Sequence, residues 1–532
     1  MASQLNDLPN EILMIIFKNL NHYDVLYSFI GLNKRFDTII NDTIVQKKLT
    51  LITSNGSSDR FTTTIFDRFC REILPKINDK IKWLNIESLT MERILHSTNY
   101  HNLDALGLYD LDLETANQLF RDGSYLIRQF QNQILSLVIK VKPRVPQIYS
   151  SEESEDKKKE DLKILQFVFT QSCIMFKNLR YLNFSSIDDH QQLTFDLTTS
   201  TTFSSNLLEL HVAVHSMDDC HYLLDGHFNQ LSKFYVTICD VLNDSALAKH
   251  KVKKRLNLKC FSLTYKFGLC GYTDGDLIPM LRRMPNLEEL SLYFASTHGP
   301  IIDGDNLKKN FINHMTGLKK FIFDIRSTIP CYNQVNLPSN EHIQNTLKNV
   351  INNQIFSYVD YFSKAHEFRC HIYSYPHTWN FFDNITNNFP GGLFKYVREI
   401  KLHDERPFQH EFFLRIAQSF PFINKLTLNN REPQENDNQQ CLIIKYHHLT
   451  KLDLVQAHEN YVEEFLNSTK TCLLNNVHLY VRYGSLQKAT DDFTKDVTQV
   501  NCSKISDLKL YNIQNLDEKL EDYFPRAQIY SL

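Results

Sequence analysis

Glycine is scarce in this chain, with 14 copies among 532 residues. Loops that hold phosphate and folds that bind dinucleotides need glycine where the backbone approaches the ligand, so its scarcity argues against a nucleotide-dependent enzyme. The formal net charge is only −3, which provides no overall basic field to attract nucleic acid or an anionic membrane. We therefore expect no cofactor, no nucleic-acid partner and no membrane partner.

Cysteine pairing motifs and long apolar runs are also missing. The 11 cysteines are an odd number without a C-x-x-C pair, which is typical of thiols that stay reduced. No apolar run approaches the roughly 18 residues of a membrane-spanning helix, and the first residues lack the basic and apolar regions of a signal peptide. These features predict an intracellular protein, cytoplasmic or nuclear.

The common catalytic motifs are absent from the sequence. It contains no phosphate-binding P-loop, no G-x-S-x-G turn, no H-E-x-x-H and no EF-hand loop. Cys370 with His371, and His403 with Asp404, lack partners at ligand spacing, and neighbours on a strand point to opposite faces. We predict no catalytic residue and no metal site, and therefore a chain that is not an enzyme.

Residues 8–20 predict a helix with an unusual apolar surface. Pro9 and Glu11 suit the first turn of a helix, and Ile12 to Phe17 are six apolar residues in a row. At 3.6 residues per turn they surround the helix rather than form one stripe. A segment of about 40 residues cannot bury such a helix on all sides, so we expect one of its faces to bind a partner protein.

Two further short helices are expected after the first. Asp24 can cap one that carries Val25 and Leu26, and Asn33 can cap another that carries Phe36. The alternative interpretation is that the apolar run belongs to an ordinary buried helix of the following domain.

This order of residues resembles the F-box family over roughly residues 5–45. The shared features are Leu-Pro-x-Glu-Ile-Leu from Leu8, an Ile-Phe pair, a leucine that ends the first helix, and a basic-aromatic ending at Lys34 to Phe36. The chain departs from the family pattern at Gly31-Leu32 and at Phe36, where the family often has tryptophan. Members fold as three small helices that dock on the Skp adaptor of a cullin ubiquitin ligase. The resemblance implies that the following are adaptor-binding or core positions: Leu8, Pro9, Ile12, Ile16, Leu20 and Leu26.

A second pattern, apolar-x-x-apolar-x-apolar, recurs fifteen times between residues 81 and 510, about every 30 residues. The copies begin at Ile81, Leu103, Ile134, Leu179, Leu207, Leu231, Leu258, Leu287, Leu318, Ala365, Val397, Ile423, Leu449, Leu474 and Ile505. Segments with helical apolar spacing follow several copies, for example at 411–420 and 460–466. Strands that alternate with helices in one direction predict a parallel sheet with the helices on its outer face.

The pattern resembles the core of leucine-rich repeats, although the asparagine that usually follows is mostly missing. The expected fold class is therefore α/β: an F-box at 1–47, a connector at 48–80, and a leucine-rich-repeat-like solenoid with a curved parallel sheet at 81–532. Within the solenoid, the charge run at 150–161 predicts a disordered surface loop, and the prolines at 327–338 predict a loop on one rim.

Together these interpretations predict a non-catalytic substrate-recognition subunit of a Skp–cullin–F-box ubiquitin ligase that binds an unknown protein target through its repeats. The alternative is a repeat scaffold that binds protein without any ligase role. Residues between or just after the inward-pointing apolar positions should face the target. Those chosen as target-binding are Tyr293, Lys401, His403, Asp453, Tyr480 and Tyr511.

Overall fold

The protein is an α/β protein with large, mostly parallel sheets, as seen in a computed structural model. The structure describes residues 5–45, 48–52, 63–142, 155–186, 192–195, 206–225, 228–239, 257–269, 277–297, 300–331, 337–348, 350, 354–435, 442–474, 476–513 and 517–532. The chain divides into two compact units, one of Met1–Phe294 with Phe311–Phe321, and one of Ala295–Asn310 with Ile322–Leu532.

The first unit combines helices with strands that follow one another in chain order. Its helices are α1 (Asn10–Asn19), α2 (His22–Phe29), α3 (Lys34–Ile40), α4 (Thr63–Arg68), α5 (Leu74–Ile77), α6 (Ser88–Ser97), α7 (Leu113–Leu119), α8 (Tyr125–Phe130), α9 (Glu155–Met175), α10 (Met217–Leu224) and α11 (Leu277–Leu281). Its strands are β1 (Leu49–Leu51), β2 (Trp83–Glu87), β3 (Ala105–Leu111), β4 (Ser136–Val141), β5 (Tyr181–Ser186), β6 (Glu209–Val214), β7 (Lys233–Ile238), β8 (Cys260–Leu269) and β9 (Glu289–Ser296).

The apolar repeat positions of this unit form a ladder across parallel strands. Leu84 lies opposite Leu106, and Leu106 lies opposite Leu137, in a register that continues to Phe261 on β8. Because alternate residues of a strand share one face, the second and third apolar residues of each repeat point to the same side and are buried. Helix α9 covers that side at β5, where the rings of Phe169 and Phe184 lie 5.5 Å apart.

The three predicted N-terminal helices are present as α1, α2 and α3. Phe17, Phe29 and Phe36, one from each helix, meet with ring centroids 5.1–6.0 Å apart. The side chain of Asn33 caps α3 as expected, since its Oδ1 accepts from the Phe36 N–H at 2.8 Å. The cap predicted at Asp24 is wrong: Asn21 caps α2, and Asp24 lies in the first turn of that helix. Asparagine and aspartate are both good caps, so composition alone did not locate this helix start.

Residues 48–80 are more than the connector that the sequence suggested. Strand β1 pairs in parallel with β2, with Leu49 opposite Leu84, and therefore opens the sheet. Helices α4 and α5 follow it, and residues 53–62 lie outside the described residues. The His22 ring links the helical segment to this first strand, because its Nδ1 accepts the Thr50 N–H at 3.0 Å.

The second unit contains a further sheet of seven parallel strands in the described residues, in the order β13-β14-β15-β17-β19-β20-β21. Its strands are β10 (Lys320–Pro330), β11 (Gln354–Phe362), β12 (Glu367–Tyr375), β13 (Phe381–Ile385), β14 (Glu399–His403), β15 (Lys425–Asn430), β16 (Ile444–Lys445), β17 (Lys451–Ala457), β18 (Thr471–Cys472), β19 (Val477–Arg482), β20 (Ile505–Tyr511) and β21 (Gln528–Ser531). Its helices are α12 (Gly304–Asn310), α13 (Asn340–Leu347), α14 (His410–Ser419), α15 (Glu459–Leu466), α16 (Tyr483–Ala489), α17 (Asp496–Cys502) and α18 (Lys519–Tyr523).

The expectation of one continuous parallel sheet is wrong at β10–β12. Strand β12 carries the repeat that begins at Ala365, but it pairs antiparallel with both β10 and β11. Apolar alternation indicates which face of the sheet a side chain lies on, but it carries no information about strand direction. The sequence therefore predicted this strand and did not predict that it pairs antiparallel.

Two predicted loops also differ from the structure. Residues 155–161 of the charge run belong to α9, because lysine and glutamate are good helix formers even without an apolar stripe. Residues 327–330 of the predicted rim loop end strand β10. Residues 150–154 and 332–336 lie outside the described residues.

Candidate protein-binding surfaces

Helix α1 and its C-cap residue present three large aliphatic side chains to solvent. Ile12, Ile15 and Leu20 are 43%, 57% and 47% exposed, whereas Leu13 and Phe17 of the same helix are fully buried. The helix therefore packs through one face and leaves a second apolar face uncovered, as the sequence predicted. We call Ile12, Ile15 and Leu20 the α1 surface.

The other residues implied by the F-box resemblance fall into two groups. Leu8 and Ile16 are half-buried, and Pro9 is exposed at the N-cap of α1. Leu26 is fully buried in α2. Leu26 is thus a core residue of the helical segment, and it cannot contact a partner without unfolding.

Arg35 holds the entry to α1 in place. Its guanidinium donates to the carbonyl oxygens of Asn6 and Leu8 and to the side chain of Asn10, at 2.5–2.8 Å. The planar fork of arginine suits such multiple contacts. The basic residue at the end of the segment therefore orients Leu8 and Pro9 next to the α1 surface.

The seven-stranded sheet of the second unit has one apolar face and one polar face. On the polar face, residues that lie opposite one another on successive strands form one row: Lys401, Thr427, Asp453, Tyr480, Lys509 and Tyr530. Parallel strands in register place equivalent repeat positions side by side, so this row is continuous. We call the polar side of this sheet the open face.

Lysines flank the tyrosines of the open face. The ammonium groups of Lys451 and Lys509 lie 4.5 and 4.9 Å from the centre of the Tyr480 ring, and Lys509 also lies 5.6 Å from Tyr530. Cation–π contacts of this kind hold both partners in defined positions. A row of positioned aromatic and basic side chains can contact a protein without chemistry of its own.

The predicted target-binding residues on this side of the sheet differ in accessibility. Lys401 is exposed, and Asp453 and Tyr511 are half-buried. The half-buried His403 ring stacks on Phe362 at 5.5 Å, and burial lowers the pKa of His403, so the ring is held in its neutral form.

Tyr293 does not belong to any solvent-facing surface. It is 0% exposed on β9, where Leu292, Tyr293 and Phe294 are all buried. The sequence prediction assumed that one face of every strand is open, and β9 is covered on both faces at this point. Tyr293 is therefore a core residue and not a target-binding residue.

A buried polar network in the second unit was missed by the sequence analysis. The Asp324 carboxylate accepts from Nε2 of His371 at 2.9 Å and of His377 at 3.2 Å, and the Tyr358 hydroxyl contacts Nδ1 of His371 at 2.6 Å. Burial alone would raise the pKa of Asp324, but the two histidines and Arg326 lower it below its usual value. Burial lowers the pKa of His371, so a neutral ring can donate to Asp324 from Nε2 and accept a hydrogen bond from the Tyr358 hydroxyl at Nδ1. All four side chains are almost completely buried, so the network belongs to the interior of this unit and is closed to solvent.

The first unit also has a polar pocket that was not predicted. Its volume is about 220 Å³, and it opens on the side of the sheet opposite the apolar ladder. Its lining includes Lys140, Asn183, Ser185, His211, Tyr235, Thr237, Ser262 and Thr264. These are the residues between or just after the apolar positions of β4 to β8, so the rule applied to the later repeats would have identified them too.

A scan of known protein families finds no match to this chain, and no curated protein matches it. Within the described residues, no group of three or more histidine, cysteine, aspartate or glutamate side chains is arranged to hold a metal ion. The described helices include none with both the length and the apolar character needed to cross a membrane.

Proposed function

We propose that this chain is the non-catalytic substrate-recognition subunit of a Skp–cullin–F-box ubiquitin ligase. In this proposal α1–α3 form an F-box that docks on a Skp-type adaptor, which in turn binds the cullin scaffold. The strands form a leucine-rich-repeat-like array that holds a target protein.

The α1 surface is the observation that carries the proposal. Fully burying an aliphatic side chain of this size contributes about 1.5–3 kcal/mol, so covering Ile12, Ile15 and Leu20 is worth several kcal/mol. A helix that leaves this much apolar surface exposed to water is expected to bind a partner. The residues around it resemble the F-box pattern from Leu8 onward, and this resemblance suggests the proposed identity of the partner.

The repeat pattern supports the second half of the proposal. The second and third apolar residues of all fifteen repeats lie on strands and are buried, including Leu84 and Ile86 in the first copy and Leu508 and Leu510 in the last. Arrays of this type present extended surfaces that suit protein targets. On the open face we propose Lys401, His403, Asp453, Tyr480 and Tyr511 as target-binding residues.

The mechanism we propose is proximity. Binding a target and an adaptor on one chain raises the effective concentration of target lysines near the ubiquitin-loaded enzyme. No residue of this chain needs to take part in bond making or breaking.

Affinity capture of the full-length chain with mass spectrometry tests the proposal. Wild-type chain should recover a Skp-type adaptor and a cullin, and the Ile12→Asp/Leu20→Asp variant should lose both while keeping the target. Recovery of a target with no adaptor in the wild-type sample would favour the scaffold without a ligase role.

A further inference from the structure

The polar pocket of the first unit contains the positively charged side chain of Lys140. Lys140 on β4 is half-buried, and its ammonium contacts the Ser185 hydroxyl. Within the described part of the chain, no carboxylate lies within 4 Å of this ammonium. Burial lowers the pKa of Lys140, which reflects the cost of holding this charge away from water.

The other charged groups beside the pocket compensate one another. Glu209 pairs with Lys233 at 3.1 Å and with His211 at 2.8 Å. Burial lowers the pKa of His211 and outweighs the opposing effect of Glu209, so the ring is mainly neutral at pH 7. Glu289, whose charge acts on the Tyr235 hydroxyl, pairs with Lys320 at 3.6 Å. Among the described residues these pairs cancel, and Lys140 gives the pocket one net positive charge.

Uncharged hydrogen-bonding groups surround that charge. Asn183 and Ser262 occupy the same cross-strand row as His211 and Tyr235, and Thr237 lies one row further along. His211 stacks on Tyr235 at 4.1 Å, which fixes both rings at the edge of the pocket. The site therefore offers one ammonium, several neutral donors and a rigid wall.

We propose that this pocket binds a carboxylate, supplied by an aspartate or glutamate side chain of the target protein. One net positive charge matches the single negative charge of a carboxylate, whereas a phosphate dianion would retain an excess negative charge beside Glu209. The neutral donors can satisfy the remaining lone pairs of a carboxylate, which makes such a contact stronger than a neutral hydrogen bond. The identity of the ligand as a protein segment rests on the proposed function; the charge match does not.

Fluorescence anisotropy with a labelled hexaglutamate peptide amide and the full-length chain tests this assignment. Lys140→Met, which keeps the aliphatic stem and removes the charge, should weaken peptide binding by about tenfold or more. Lys142→Met is the matched control, because Lys142 is exposed two residues further along the chain and its loss changes the net charge equally. An equal effect of the two substitutions would show a general charge effect and overturn the proposal.

The melting temperature distinguishes a binding role of Lys140 from a structural one. Removing a half-buried charge that lacks a carboxylate partner should leave the melting temperature unchanged or raise it. A clear fall in the melting temperature of Lys140→Met would identify Lys140 as a structural residue and contradict the proposal.

Two further binding experiments identify the ligand class, and a third separates the pocket from adaptor docking. A hexaphosphoserine peptide that binds more than tenfold tighter, with the same dependence on Lys140, would replace carboxylate by phosphate and overturn the assignment. N-acetylglutamate amide should compete only weakly; affinity equal to that of the peptide would identify a small molecule instead of a protein segment. The Ile12→Asp/Leu20→Asp variant should bind the peptide normally, so failure of the pocket and failure of adaptor docking are separate outcomes.

Discussion

The ring of His211 stacks on the ring of Tyr235, with centroids 4.1 Å apart and an angle of 7° between the planes. The two residues are partners in the register of β6 and β7, each lying between the two buried apolar residues of its repeat. Parallel strands in register thus place equivalent repeat positions in contact across the sheet. The same relationship brings Lys509 to the rings of Tyr480 and Tyr530 in the second unit.

The apolar and polar sides of a repeat strand should respond differently to truncation. Leu426→Ala removes a fully buried side chain and should lower the free energy of unfolding by about 2–5 kcal/mol. Thr427→Ala, on the next residue and the opposite face, should change it by no more than about 0.5 kcal/mol. Urea unfolding followed by circular dichroism measures both, and equal losses would contradict the assignment of the two faces.

Asp360 should make the second unit less stable as the pH rises. Burial raises the pKa of Asp360 to about 6, with Asp404 adding to the rise and Thr386 and Arg406 opposing it. The pKa of Asp360 in the folded state lies above the unfolded value of about 4. Its favourable contribution to the free energy of unfolding is therefore fully present below pH 4 and is lost as the pH rises through 6. The full change in the free energy of unfolding is on the order of 3 kcal/mol.

Melting temperatures between pH 4.5 and 7.5 test this effect with Asp360→Asn as the control, because the amide has the same shape and does not titrate. The melting temperature of the wild type relative to the variant should fall as the pH rises. A difference that grows with pH would mean that Arg406, which lies 3.6 Å from the Asp360 carboxylate, outweighs burial.

Tyrosines of the open face should contribute to target capture and little to stability. Tyr480→Ala with Tyr511→Ala should weaken recovery of the target found by affinity capture, because aromatic side chains dominate interface energies. Tyr361→Ala with Tyr396→Ala is the matched control, since both tyrosines are more than half exposed in the same unit. Equal recovery by the two double variants would remove the open face as the target site.

The positions of the repeat strands were predictable from the sequence because the signal is strong and local. A pair such as Leu106 and Leu108 shows the period of two that a half-buried strand requires, and fifteen copies exclude coincidence. The α1 surface was predictable for a related reason: six apolar residues in a row exceed what one helix face can bury.

Other features depend on contacts distant in sequence and could not be read in this way. The direction of β12, the burial of Tyr293 and the network around Asp324 are decided by which element packs next to them. The helix at 155–161 was not predicted because a charge run without apolar positions is equally typical of a loop.

Binding of the purified full-length chain to a purified Skp-type adaptor, measured by isothermal titration calorimetry, tests the central claim most directly. The account predicts one-to-one binding at micromolar affinity or tighter. Ile12→Asp with Leu20→Asp should weaken it at least a hundredfold, since burying an unpaired carboxylate costs several kcal/mol. The matched control is Leu89→Asp with Ile174→Asp, which makes the same change at exposed apolar residues outside α1–α3 and should leave the affinity unchanged. Absence of binding by the wild type, or equal affinities for the two double variants, would contradict the account.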